Sequence, residues 1–407
     1  MRNFAKSVAL LPLLALAACT MSSLPPPAAP IKASGKDGLL VWPDLLTRER
    51  PQPSTTISYG SSALQVADLW LPQGKGPHPT VLMVHGGCWQ TEVADRRIMN
   101  WIADDLRRRG IAVWNIDYRG VDREGGGYPG TFLDAAAATD ALRANADKYR
   151  LDISPLVAVG HSAGGHLALW LAARPAVSAR ARILAISVDA SGEAATLEQR
   201  VAKPLERMLR GMAGVESLSS SIKAGQSTTS ATFATPEAAE AALRQLQPEL
   251  ARLGISAARI IGPNPLIPRG SPVLGADPLP ISTVVSLGGL PDLELAATPP
   301  GSGCGTEVIE KLVGPPTLSS RHVFADTSVP RLAPLGVKQV LINGLQDRII
   351  PTAYAEAYAG PMRAAGDKVD VRMIDRTGHV ELIAPESAAW AATVEEIRAA
   401  LGMKGAR

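Results

Sequence analysis

The sequence predicts an α/β protein built on a mostly parallel sheet with helices on both faces, and three observations carry that expectation. Apolar runs of strand length alternate with amphipathic helical stretches on both sides of a central segment. That segment, roughly 181–265, breaks the rhythm with its own strand and helix order. A Gly-His-Ser-Ala-Gly run, 160–164, stands where a strand gives way to a helix. Strands that alternate with helices pair in parallel, because each crossover helix returns the chain to the same edge.

In chain order, an alternating stretch around Ile57, Tyr59 and Val66 predicts an opening hairpin over 55–71. Strands follow at 81–84, 111–118 and 156–160, separated by helices over 95–109 and 132–149. The alternation resumes with strands at 283–287, 337–343 and 369–374 and closes with a helix over 386–401. The interrupting segment reads as strand 183–188, a helix with Leu197, Val201, Leu205 and Leu209 on one stripe, two polar strands flanking Ala224-Gly225, a helix capped by Thr235 before Pro236, and a strand ending at Ile261. The order β-α-β-β-α-β is that of a ferredoxin-like α+β domain. The expected organisation is a main domain in two pieces, 55–178 and 270–407, with an inserted domain at 181–265.

Composition narrows the partners. With 41 basic against 38 acidic residues the net charge is +3, too small a field to point to a nucleic acid. The run Arg107-Arg108-Arg109 follows Asp104 and Asp105 and reads as a solvated helix end, where cations are favoured. No Cys-x-x-Cys or His-Glu-x-x-His spacing occurs, so no metal site is expected. At the N-terminus Arg2 and Lys6 precede an apolar run, 8–18, too short to span a bilayer. That run ends in Leu16-Ala17-Ala18-Cys19 and resembles a bacterial lipoprotein signal. The resemblance implies a signal peptide over 1–18, acylation of Cys19, and a lipid-anchored envelope protein facing the periplasm; Thr20 after the cysteine leans the expectation towards the outer membrane. Pro25 to Pro30 and the residues up to 54 read as a tether. Two cysteines remain, Cys88 and Cys304, which an oxidising compartment would allow to pair.

The chemistry is carried by few residues. Glycines flanking Ser162 permit the sharp strand-to-helix turn that presents a serine hydroxyl as a nucleophile. The His85-Gly86-Gly87-Cys88-Trp89 loop follows a strand, and the amides of Gly87, Cys88 and Ala163 are candidate donors for a developing oxyanion. Trp89 is the candidate substrate contact, and His85 is expected to shape the loop. Beyond the insertion only His322 and His379 remain as bases. His379 follows a strand and is the candidate, whereas His322 lies in an irregular stretch. Asp347, in another strand-end loop, is the candidate acid; Asp292 is the alternative, and Asp375 is too near His379 in sequence to reach around it.

With these motifs in the order His-Gly-Gly-Cys-Trp, Gly-His-Ser-Ala-Gly-Gly-His-Leu-Ala, Asp-Arg-Ile-Ile-Pro and Thr-Gly-His, the chain resembles the esterase and lipase branch of the α/β-hydrolases. Within that branch the run Trp114-Asn115-Ile116-Asp117-Tyr118-Arg119 is similar to arylformamidase-like and small-acyl esterases. The resemblance implies cleavage of a small-molecule acyl ester, or of a formyl amide, without a cofactor. The insertion resembles a porter subdomain of resistance-nodulation-division efflux pumps, through 186–189, 201–206 and 211–216. That implies a protein partner for the insertion, or a non-catalytic accessory role for the chain; its position after the nucleophile helix also raises the expectation that it roofs the cleft.

Overall fold

The computed structural model describes residues 32–255, 258–264, 266–268, 270–318 and 321–403. Cys19 and the signal-like run lie outside them. Among the described residues no helix is long and apolar enough to cross a membrane.

The chain enters through a short helix, α1 (Trp42–Leu46), and a hairpin of β1 (Thr55–Ser58) and β2 (Val66–Trp70). The α/β rhythm follows: β3 (His78–Val84), α2 (Asn100–Arg108), β4 (Ala112–Ile116), α3 (Gly130–Tyr149), β5 (Leu151–His161) and α4 (Ala163–Ala181). Next come β6 (Ile183–Asp189), then α5 (Ala194–Leu197) joined through a π turn to α6 (Lys203–Arg210), β7 (Val215–Lys223), β8 (Gln226–Phe233), α7 (Pro236–Arg252) and β9 (Ala258–Ile261). The rhythm returns with β10 (Thr283–Leu287), α8 (Leu293–Ala296), α9 (Thr306–Val313), β11 (Lys338–Gly344), α10 (Ala353–Ala364), β12 (Lys368–Ile374) and α11 (Ala388–Ala400).

Two sheets result. The larger has eight strands in the order β1-β2-β4-β3-β5-β10-β11-β12. Only the β1–β2 and β2–β4 pairings are antiparallel; the strands from β4 to β12 run parallel. Strands β4 and β10 are buried along their whole length, as expected of strands covered on both faces. One face packs Trp114, Phe132 and Trp170, and the other packs Trp70, Trp101 and Trp390. The order reverses beside β3, since the chain leaves it for β4 on one side and returns through β5 on the other. In open α/β sheets that reversal opens a crevice at the carboxyl ends of the strands.

The smaller sheet has the order β7-β8-β6-β9, all antiparallel. Its helices cover one face only, over a separate core that includes Leu205, Leu209, Phe233 and Leu246. The β-α-β-β-α-β order expected for this segment is the order present.

Two expectations need correction. Residues 34–51 are not a loose tether: Leu45 is fully buried, Asp44 accepts from Ser34 and Val41, and Trp101 Nε1 and Asn100 Nδ2 donate to the carbonyls of Glu49 and Pro51. A proline-rich approach hid a short helix that begins at Trp42-Pro43-Asp44, where proline fits the first turn. Second, the insertion departs from the far end of α4, whose 19 residues span roughly 28 Å from the nucleophile. It packs near Arg180, Leu274 and Leu332, and none of its described residues lines the cleft that holds Ser162. The triple arginine at the end of α2 is a solvated helix end: Arg107 and Arg108 pair with Asp104, and Arg109 with Asp105.

Candidate active site

Ser162 occupies the turn between β5 and α4 with φ 55° and ψ −122°, a conformation that costs a residue with a side chain of order 1–3 kcal/mol and is held by its surroundings. Its amide donates to Leu287 O (2.8 Å) at the end of β10, and its carbonyl accepts from Gly165 N (2.8 Å). The turn also needs Gly164, because a Cβ there would collide with the carbonyl oxygens of Val84 and His85 at the end of β3. The serine is therefore pinned between the ends of three parallel strands.

The histidine and the acid arrive from the next two strands. His379 Nδ1 lies 2.7 Å from Asp347 Oδ2, with both side chains buried. The other carboxylate oxygen of Asp347 accepts from Ile349 N (2.8 Å) and Ile350 N (2.9 Å), so the whole carboxylate is held. Gln346 N donates to Thr377 O and Thr377 N to Gln346 Oε1 (both 3.0 Å), which laces the loop after β11 to the loop after β12. Asp292 instead caps α8 by accepting from Leu295 N. Asp375 is exposed, and His322 lies on an exposed loop.

Ser162 and His379 line one cleft of about 340 Å³, together with Gly87, Cys88 and His161. No direct hydrogen bond joins Ser162 Oγ to His379 among the described residues; such contacts are commonly long before substrate binds. The amides of Gly87, Cys88 and Ala163 stand beside the serine and donate to no acceptor among the described residues. For Ala163 the reason is geometric, since the first N–H groups of a helix have no partner within it. Cys88 is disulfide-bonded to Cys304, so the loop after β3 is tied across the cleft to the segment before α9. That segment is in turn held by Gly303 N donating to Ile349 O (2.8 Å).

Trp89 departs from its expected place. It is fully buried, packs edge-on against His166 at 5.5 Å and does not line the cleft. At φ 53° the backbone turns its ring inward onto the core. Burial holds His166 low, at about 4, so its ring is neutral. His85 shapes the loop: its Nε2 lies 3.0 Å from Asp117 Oδ1, its Nδ1 2.7 Å from Gly86 O, and its ring stacks on Tyr118.

Four residues at the site escaped the sequence reading. Trp42 places its ring edge against both His161 and His379 at 6.3 Å and walls the cleft with Leu46. Glu381 accepts from Gly378 N (2.9 Å) beside the histidine and from Leu40 N in the N-terminal arm. Gly288, at φ 53°, leaves space that a Cβ would take from Leu382, 3.1 Å from Asp347 Oδ2. His161 bonds the carbonyl of His379 through Nε2 (3.1 Å), and burial holds its pKa well below the ordinary value. Only Trp-Pro-Asp at 42–44 left a local trace, as a helix start.

A family model described as BD-FAE matches residues 67–198, the stretch that carries the His-Gly-Gly loop and the serine turn. Esterase LipC of Mycobacterium tuberculosis is 30% identical over 148 residues, covering 31% of this chain and 36% of that protein, so the match spans about a third of the relative's length. Among solved structures, esterase B from Lactobacillus Rhamnosis superposes with TM-score 0.53 at 15% identity, covering 88% of this chain and 89% of that one. Thermogutta terrifontis esterase 2, phosphonylated by sarin, superposes with TM-score 0.52 at 14% identity, covering 90% and 100%. The sheet order, the strand-end crevice and these superpositions together establish that the chain has the α/β-hydrolase fold.

Proposed function

We infer that the chain is a serine hydrolase that cleaves small carboxyl esters through an acyl-enzyme. The observation that carries this reading is the Asp347–His379 pair at 2.7 Å opening into the same cleft as the strained Ser162. His379 takes the proton from Ser162 Oγ as the oxygen attacks the ester carbonyl. The charge that develops on the carbonyl oxygen is met by the amides of Gly87, Cys88 and Ala163. His379 then hands the proton to the leaving alcohol, and a water activated by the same ring releases the acid. Asp347 keeps the imidazole oriented and stabilises its cation. This route needs no cofactor. The esterase names of the similar proteins support the same reaction class.

A fluorophosphonate probe tests the reading. Wild type should label and Ser162→Ala should not; labelling of the alanine variant at the wild-type rate would overturn it. A panel of acyl esters beside a formyl amide distinguishes ester from formamide hydrolysis. The lipoprotein-like signal supports anchoring through Cys19 at the outer membrane, facing the periplasm. Incorporation of labelled palmitate into the wild type but not into Cys19→Ser is the expected result.

A further inference from the structure

The N-terminal arm joins the site by several independent contacts. Leu45 is buried in the core beneath it, Glu381 clasps Leu40 N, and Trp42 touches the rings of His161 and His379. Trp42 and Leu46 line the cleft together with Val93, Ile98 and Ile349. Gln90 supplies a polar side chain to the lining, which among the described residues includes no Asp, Glu, Lys or Arg. Such a lining accepts a neutral, apolar group, because a charge brought into it would lose water without gaining a partner.

The reaction decides which half of the substrate meets the arm. The leaving oxygen must reach the histidine that protonates it, so the alcohol half lies on the side of His379. Two side chains pack against that ring, His161 at 4.5 Å and Trp42 at 6.3 Å between ring centroids, and Trp42 is the large apolar one. We propose that the arm is the specificity wall for the alcohol half of the ester, with Trp42 and Leu46 limiting the length of a neutral alkyl alcohol. This rests on the ester-hydrolase reading above. The arm lies outside residues 67–198, so this wall is a feature of the chain beyond the region that matches the family.

The test uses the full chain and two series of esters followed by acid release: butyrates of methyl to octyl alcohols, and methyl esters of acetic to octanoic acid. Trp42→Ala and Leu46→Ala are each expected to raise the octyl-to-methyl ratio of kcat/KM in the alcohol series about tenfold, the scale of a pocket contact worth 1–3 kcal/mol. The same ratio in the acid series should stay within about twofold. Leu46 is 41% exposed, so its substitution leaves the core intact if Trp42→Ala fails to fold. Unchanged ratios in both series, or a change confined to the acid series, with fluorophosphonate labelling preserved, would overturn the role of the arm and leave the hydrolase reading standing. Absence of labelling in the wild type would overturn the hydrolase reading itself.

Discussion

The two sheets of this molecule are built by opposite rules. In the large sheet, β4 and β10 are buried from end to end, because apolar layers cover both faces. In the small sheet, β8 alternates strictly between half-buried and buried residues, because helices cover one face alone. Parallel strands also end together at one edge, and there Ser162, Asp347 and His379 meet from β5, β11 and β12. The antiparallel strands of the insertion send their ends both ways and, among the described residues, gather no comparable constellation. The difference separates the two sheets, with the candidate site placed in one and a self-contained core in the other.

The largest expected effect lies wholly in the large sheet. Asp347→Asn should lower kcat by about 10⁴-fold, since the amide favours the wrong tautomer of the histidine. Calorimetry should show both folding units intact, and an equal loss from any substitution in the insertion would erase the contrast. Next, Phe233→Ala empties a fully buried position in the small core and should cost about 3–5 kcal/mol there. Its expected signature is an earlier thermal transition of the insertion, with ester hydrolysis kept below that temperature; simultaneous loss of activity would show that the units melt as one.

Acid offers a third means of separating them. His166 is held near 4, below its ordinary 6.5, so the unfolded chain binds the proton first. The stability it contributes is complete above pH 6.5 and is lost as pH falls towards 4, by about 3 kcal/mol at about 1.4 kcal/mol per unit. Buried His161 acts in the same direction. The insertion contains no histidine. Scanning from pH 7 to 4.5 should therefore lower the transition of the main unit more than that of the insertion, and His166→Leu should flatten this dependence. The smallest effect is Thr235→Ala, which removes the hydroxyl that accepts from Ala238 N at the start of α7 and should cost the insertion about 1 kcal/mol by urea titration.

Much of this was legible in the residues because the signals were local. Strand-to-helix alternation, the glycines around Ser162 and the strand-end positions of Asp347 and His379 depend on short-range backbone preference and on which residue types turn sharply. The β-α-β-β-α-β order of the insertion was legible for the same reason. What stayed hidden depended on contacts between residues far apart in the chain. Glu381 reaches Leu40 across 341 positions, and Trp42 reaches the rings of His161 and His379 from the far N-terminal side of the chain. Trp89, at the end of the His-Gly-Gly loop, turned inward, while Trp42, inside an apparent tether, became the aromatic wall.

By itself, then, the sequence determined the layered α/β architecture, the serine turn and the residue types of the site, since these follow from periodicity and local backbone geometry. Tertiary structure alone decided which tryptophan faces the cleft, that the N-terminal arm joins the site, and that the insertion keeps clear of the cleft lining. Side-chain direction and loop proximity are set by the packing of whole elements against one another, and no short stretch of residues encodes that packing.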